Sequence, residues 1–321
     1  MLTAAMQPPA DIHVIINPVS GARKTGRQLP AILASLERYF PGRCLVSLTR
    51  APGDAQRLAC TAVRSAARLV IVAGGDGTIH ESVNGMLEAT GGSRPEASLG
   101  LIACGSGEGF ALSLRIPHAL DEQVRVIRDS SPRPVDVGRL LGSGGAPGRY
   151  FVNECQIGIG ADVVSHTRMI RKAAGGLMGY GVATFASLFR SPNVELSLSV
   201  DGRDEPPCSI LGLAVGNGDL TGGGMSLTPG AETDDGLLDL LVIHGMSLAR
   251  RLRSFPKIYT GAHITASGFT YRRIKECSVR GSAGVTVAAD GEFSGVLPCT
   301  VSIIERAILV SAPPLRRGEG L

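Results

Sequence analysis

The apolar run Arg68-Leu69-Val70-Ile71-Val72 breaks at Ala73-Gly74-Gly75-Asp76-Gly77-Thr78, and a helical pattern takes over across 79–86. A buried strand that ends in glycines and restarts as a helix limits the fold sharply. The glycines let other groups approach the backbone, and the helix start offers free N–H groups and a partial positive charge, which together make an anion site. In isolation the motif fits a tight turn as well as a phosphate loop. Asp76 favours the second reading, because an acid beside phosphates is useful only if it handles a metal ion or a proton.

The same grammar recurs. The strand 12–16 ends in Asn17-Pro18-Val19-Ser20-Gly21 and is followed by a helix over 25–39. A strand at 44–49 precedes a helix at 54–67, which Asp54 opens as an N-cap or first-turn acid. The strand 98–103 runs into Cys104-Gly105-Ser106-Gly107-Glu108-Gly109. Strands alternating with helices predict a parallel sheet covered on both faces. Ligands bind such sheets beyond the carboxyl ends of the strands, so three small-residue loops converge on one edge. The 43 glycines suit this many tight turns.

After Pro132-Arg133-Pro134 the rhythm changes. Val135–Leu140 alternates and leads through Gly142-Ser143-Gly144-Gly145 into Tyr150–Cys155, a hairpin pattern. Helical stretches at 163–172 and 180–190 are followed by short strands at 194–200, 210–215, 238–243, 269–274, 277–279, 285–288, 300–304 and 307–310. The division predicted is an α/β domain over 10–134 and a mainly antiparallel β domain over 135–304, with the strand at 305–312 placed to return to the first.

Three stretches of the second half carry candidate chemistry. Gly216-Asn217-Gly218 with Gly222-Gly223-Gly224 reads first as a flexible turn. Glu232-Thr233-Asp234-Asp235-Gly236-Leu237 could hold a hard cation or form an acidic turn. Asp290-Gly291-Glu292 could bring two carboxylates to one cleft if the backbone is extended there, or close a hairpin. The segment 246–258 mixes basic and apolar residues at helical spacing, which fits an anionic surface or a solvated face over the core.

Composition removes several function classes. With no tryptophan and 4% aromatic residues the chain lacks stacking platforms for single-stranded nucleic acid. Seven scattered cysteines without a Cys-x-x-Cys pair argue against zinc or a disulfide framework and for a reducing, cytoplasmic setting. The first nine residues do not read as a signal peptide, and no apolar run has the length of a membrane span. A net charge of +4 permits contact with nucleotides or anionic lipid.

Taken in order, Asn17-Pro18-x-Ser20-Gly21, Gly74-Gly75-Asp76-Gly77-Thr78, Gly105-Ser106-Gly107, Asp234-Asp235-Gly236 and Asp290-Gly291-Glu292 resemble the diacylglycerol kinase and sphingosine kinase superfamily, most of all its compact bacterial lipid kinases. Asn153–Asp162 and Gly216-Asn217-Gly218 also match. The resemblance implies a phosphofructokinase-like nucleotide domain, a β-sandwich-like second domain, and ATP with Mg2+ in the cleft between them. The acceptor implied is a membrane lipid, of diacylglycerol or sphingoid type, met at a peripheral membrane surface. A homodimer is among the assemblies it allows. By position Asn17, Pro18, Ser20, Gly21, Thr49, Gly74, Gly75, Asp76, Gly77, Thr78, His80, Gly105, Ser106 and Gly107 would bind nucleotide. Glu292 would be the base, with Asp290 beside it and Asp76 assisting. Asp235, with the carbonyls of Glu232 and Leu237, would hold a structural magnesium. One departure is Glu108-Gly109, where many members carry Asn-Asp. At a helix start Glu108 also suits the dipole. His80 taken alone reads as a solvated helix residue. The competing functions are a kinase of a soluble hydroxyl, such as NAD kinase, and a relative that binds without catalysis.

Overall fold

The computed structural model describes residues 11–105, 107–142, 148–170, 177–221, 224–282 and 284–314. Ser106, 143–147, 222–223 and both chain ends, with the expectations attached to them, lie outside the described residues.

The first half alternates β1 (Ile12–Ile16), α1 (Ser20–Tyr39), β2 (Cys44–Leu48), α2 (Asp54–Arg64), β3 (Leu69–Gly74), α3 (Asp76–Ala89) and β4 (Ser98–Ala103), then α4 (Gly109–Ser113) and α5 (Leu120–Asp129). The strands are parallel in the order β2-β1-β3-β4. β4 is buried throughout, whereas the edge strand β2 leaves Leu45, Val46 and Leu48 exposed. Against one face Ile15, Val70, Val72 and Leu101 pack on Ala55, Ala59, Ala62, Val83 and Met86 of α2 and α3. On the other face Val14, Ile71 and Ile102 meet Ile32 and Leu36 of α1 and Val124 and Ile127 of α5. Each helix contributes apolar residues three or four apart, the stripe that a sheet-covering helix needs.

The second half comprises β5 (Arg133–Gly142), β6 (Arg149–Phe151), β7 (Glu154–Gly158), α6 (Ile159–Ile170), α7 (Leu177–Arg190), β8 (Val194–Val200), β9 (Arg203–Asp204), β10 (Cys208–Gly216), β11 (Leu238–His244), α8 (Leu248–Ser254) running on as a 3-10 turn over Phe255–Thr260, β12 (Phe269–Ile274), β13 (Glu276–Gly281), β14 (Thr286–Ala289), β15 (Glu292–Val296) and β16 (Cys299–Val310). Its pairings are antiparallel, around a core of Phe151, Ile157, Ile210, Leu213, Leu240, Val279 and Val301. β16 joins the halves. It pairs antiparallel with β5 and β13, shifts register between Ile304 and Ile308, and then lies parallel to β4 through Leu309↔Ser98 and Val310↔Leu99.

Several expectations change in detail. The strands at 300–304 and 307–310 are one strand interrupted by a bulge at Arg306, whose φ is 53°. The run 150–155 is two strands, because the amides of Val152, Asn153 and Glu154 donate to the Asp290 carboxylate instead of a ladder. α4 begins at the helix start expected at Glu108, whereas α5 occupies a stretch read without a helix. Among the described residues no helix is long and apolar enough to cross a membrane.

Candidate active site

The three loops of the first sheet do meet. Asn17, just beyond β1, donates from Nδ2 to Thr78 Oγ1 at 2.9 Å, while its backbone N–H reaches Ala73 O at 2.9 Å. Thr49 leaves β2 beside it, with its N–H on Ile16 O. Ser20 Oγ donates to the Asn17 carbonyl and lies 2.5 Å from Thr25 Oγ1, and the Pro18 carbonyl accepts from Gly26. A Cβ at Gly21 would stand 2.2 Å from Cys104 O, and one at Gly105 would stand 2.8 Å from the Gly75 Cα. These glycines are required because the loops touch one another. Gly21, Ala22 and Arg23 all have positive φ, so regular helix begins only after them, in line with the expected start near residue 25. Gly107 lies part-buried in the third loop.

The second half supplies the opposite wall. Asp290 (φ 47°) and Gly291 (φ 75°) close the turn between β14 and β15 in the left-handed region. The backbone is therefore not extended there, and the two acids part company. Asp290 Oδ1 accepts from Asn153 and Glu154 at 2.9 and 3.1 Å; Oδ2 accepts from Val152 at 2.9 Å and lies 2.9 Å from His80 Nδ1. This carboxylate is saturated and ties α3 to β7. Glu292 instead reaches the phosphate loop, its Oε1 3.2 Å from the position of a Cβ on Gly77.

His80 is only 4% exposed and bonded to Asp290, which corrects its reading as a solvated residue. The residues around it are polar and buried too. Asn84 donates to the carbonyls of His80 and Tyr150 and accepts from the Tyr150 N–H.

Electrostatically the site is acidic. Asp76 is part-exposed as a residue, yet its Oδ1 is buried without a hydrogen-bond partner. Burial, and then the Asp290 charge, push the Asp76 carboxyl up to about 6, against the pull of the Glu108 and Phe110 amides. Burial likewise pushes Glu154 up to about 7, with Thr221 and Gln156 countering by hydrogen bonds and Asp290 and Asp76 adding repulsion. Glu108 caps α4 with φ 54°, and burial raises it despite Lys24 and His118 nearby, so desolvation outweighs the comfort expected from a helix dipole. Glu154 was not anticipated as part of the site. Its signal was a charged residue within a strand that packs on all sides.

Asp235 lies elsewhere, at the turn before β11. Its Oδ1 accepts from Leu237 N at 3.0 Å, and its Oδ2, buried and unbonded, faces Arg273 Nη1 at 3.4 Å. Asp136, fully buried, holds this region to β16 by accepting from Gly236 and Arg306 at 2.7 and 2.6 Å. Among the described residues no three His, Cys, Asp or Glu side chains group as a metal site. Asn217 is structural in these contacts, its Nδ2 donating to the carbonyls of Asp136 and Val152.

Behind β7 an apolar cavity of about 90 Å³ opens between α6, α7, α8 and strands β10 to β12, lined by Ile159, Leu188, Leu213, Leu227, Met246 and Phe255. Gln156 forms part of its wall and donates to Glu154 Oε1 at 2.6 Å. An acidic, glycine-lined cleft and an apolar cavity thus share one strand.

Comparison with known proteins agrees with this geometry. Residues 11–140 match the model of the "Diacylglycerol kinase catalytic domain", and 153–312 that of the "YegS C-terminal NAD kinase beta sandwich-like domain". The chain is 30% identical over 304 residues to a diacylglycerol kinase of Staphylococcus haemolyticus, covering 94% of this chain and 88% of the relative. It is also 30% identical to a Chromohalobacter salexigens protein named "Probable lipid kinase YegS-like", over 91% of this chain and 90% of that one. Among solved structures, a diacylglycerol kinase from Bacillus anthracis superposes with TM-score 0.71 at 22% identity, covering 95% of this chain and 97% of that one. An NAD kinase from Archaeoglobus fulgidus in complex with ATP gives 0.50 at 15% identity, covering 93% and 92%. These two show likeness of fold.

Proposed function

The chain belongs to the diacylglycerol kinase family and is a lipid kinase, and from that premise we propose that it transfers the γ-phosphoryl group of ATP to a hydroxyl of a membrane lipid. The observation that carries the reading is the shared strand. β7 carries Glu154 beside Asp290 and, two residues on, Gln156 in the cavity wall, while Glu292 stands at Gly77 of the phosphate-type loop, so an acceptor with its chain in the cavity would have its head toward that loop. Glu292 takes the acceptor proton, the freed oxygen attacks the γ-phosphorus, and the bond from that phosphorus to the bridging oxygen breaks as ADP leaves. The loop N–H groups and the start of α3 stabilise the charge that spreads over the transferring group.

Magnesium belongs to the same proposal. The buried Oδ2 of Asp235 accepts no hydrogen bond but faces Arg273 Nη1 at 3.4 Å, so a hard cation held by Asp235 with the carbonyls of Glu232 and Leu237 would replace that ion pair. There it would supply structural cohesion to the turn before β11. The unbonded Oδ1 of Asp76 likewise suits the metal that accompanies a nucleotide, whose charge would favour the ionised carboxylate.

Access to the lipid is supported by α8. Arg251 turns inward, donating to the carbonyls of Leu188 and Ser191, so it is not part of a basic surface. Arg250, Arg253 and Lys257 remain outside with Leu248, Leu252 and Tyr259, a mixture that suits the anionic face of a cytoplasmic membrane.

The test offers labelled ATP and Mg2+ with a total membrane lipid extract, and separately with NAD. Label is expected in lipid alone; label in NAD alone would overturn the assignment. Glu292→Gln is expected to lower kcat about 10²- to 10⁴-fold with the KM for ATP retained. Unchanged turnover would remove Glu292 as the base.

A further inference from the structure

Glu154 has no part in the chemistry just described, yet it is a carboxylate held between the two compartments. It is 7% exposed. Strand register sets Cys155 opposite Ala289, and the neighbouring backbones interlock, with Asp290 N donating to Glu154 O at 2.9 Å and Glu154 N to Asp290 Oδ1 at 3.1 Å. Glu154 is therefore fixed beside the turn that carries Glu292. Its side chain points along the face of β7 shared with Gln156, two residues on, and Gln156 walls the apolar cavity.

The donors around it are asymmetric. Gln156 Nε2 and Thr221 Oγ1 both donate to Oε1. Among the described residues these are the donors to this carboxylate, which leaves Oε2 for a ligand. Among the described residues no cation is among the charges that act most strongly on the group. The charges that act on it are those of Asp290 and Asp76, both negative. An acceptor group that donates a hydrogen bond, or carries positive charge, relieves that environment, whereas a carbonyl oxygen aggravates it.

We propose that Glu154 reads the head of the lipid acceptor through Oε2, selecting acceptors that carry a second hydrogen-bond donor, a hydroxyl or an ammonium, beside the hydroxyl that is phosphorylated. The inference rests on the lipid-kinase reading and deepens it to a class of acceptor. A site built to pair with a substrate donor discriminates strongly against an analogue that lacks it, because its own polar group is then left unpaired.

The substitution that tests this is Glu154→Gln. Because Thr221 and Gln156 both donate to the inner position, the amide oxygen is held there and the amide nitrogen takes the place of Oε2. A donor then faces the donor of the head group. Thr221→Val is the control, since it removes an internal hydrogen bond and leaves the carboxylate in place.

The full chain is assayed with ATP and three acceptors of matched chain length in the same mixed micelles: a monoacylglycerol, a sphingoid base and a diacylglycerol, the last with no second donor. The parent enzyme is expected to favour the monoacylglycerol or the sphingoid base over the diacylglycerol by at least about 10-fold in kcat/KM, and whichever leads identifies the donor as hydroxyl or ammonium. Glu154→Gln is expected to bring that ratio close to one, mainly through the acceptor KM, with the KM for ATP unchanged. Thr221→Val is expected to keep the ratio. A parent enzyme that handles diacylglycerol best, or a ratio unmoved by Glu154→Gln, would overturn the assignment. Label in none of the three acceptors would overturn this assignment, while the lipid-kinase reading is decided separately by label from the total lipid extract.

Discussion

Asp290 and Glu292 stand two residues apart and do different work. Asp290 accepts three backbone N–H groups and lies against His80, so it has no lone pair to spare for a substrate proton. Glu292 has its carboxylate at Gly77. The difference is measurable. Asparagine tolerates the left-handed backbone of position 290 almost as well as aspartate does, so Asp290→Asn changes the side-chain chemistry and little else. Its amide nitrogen must point at a backbone N–H whichever way the group is turned. The expected cost is about 2–4 kcal/mol of stability, seen as a lower urea midpoint, with activity falling because the Glu292 turn is loosened. Glu292→Gln should leave the midpoint within about 0.5 kcal/mol of the parent. A pair of variants with equal midpoints would refute this division of labour.

At the scale of elements, α3 explains both what the sequence disclosed and what it concealed. Its start was plain, because a strand that ends in Gly-Gly and restarts on an Asp can do little else. Its burial was not. His80 taken alone reads as solvated, but α3 is enclosed by α2 on one side and by β6 and Asp290 on the other, and Ser82 and Asn84 are buried with it. Each polar group is met at short range, Ser82 by the Thr78 carbonyl and Asn84 by Tyr150. Those partners lie up to 210 residues away, and local periodicity carries no record of them. The strands of the second half were legible for the opposite reason, since alternation reports burial on one face of a sheet directly. Phe269–Ile274 is found with the limits expected. The enclosure of α3 also predicts an intolerant site. A Cβ at Gly85 would stand 2.0 Å from the Gln56 carbonyl oxygen, which is backbone of α2 and cannot swing away. Gly85→Ala, a change that ordinarily strengthens a helix, should instead destabilise the protein by about 1–3 kcal/mol as the two helices are forced apart. A thermal scan with unchanged or raised Tm would show that the helices can separate without cost.

At the scale of the whole molecule, the two halves are held by strand β16 and by side-chain hydrogen bonds, His80–Asp290, Ser113–Asn153 and Arg115–Asp219 among them, and the cleft between them is paved with acids. β16 runs from the second core into the first sheet, so the walls cannot drift freely. Carboxylates forced together without counter-charge must weaken the fold as they ionise, and the sign of that effect can be stated. Glu154 and Asp76 have their folded-state pKa values raised, to about 7 and about 6, chiefly by burial. Below about pH 3 both groups are protonated in the folded and unfolded chains alike, and neither costs stability. As pH rises through 6 and 7 the unfolded chain is already ionised while the folded chain holds its protons, and stability falls. For Glu154 the full effect is on the order of 3 kcal/mol, taking 1.36 kcal/mol for each unit of displacement. Gln156 and Thr221 can still donate to an amide oxygen at position 154, so Glu154→Gln removes the titration and keeps those contacts. Urea unfolding at pH 5 and pH 8 should therefore show the parent losing more stability than the variant over that interval, with Glu154→Gln the more stable of the two at pH 8. Parallel losses would mean that Glu154 is solvated or neutralised in the native state, and the acidic character assigned to the cleft would have to be withdrawn. Under the proposed kinase reading, the Mg2+ that accompanies the nucleotide would bring positive charge beside these carboxylates. Addition of ATP with Mg2+ should narrow the gap between the two proteins at pH 8 more than at pH 5, because only the ionised cleft gains from a nearby cation.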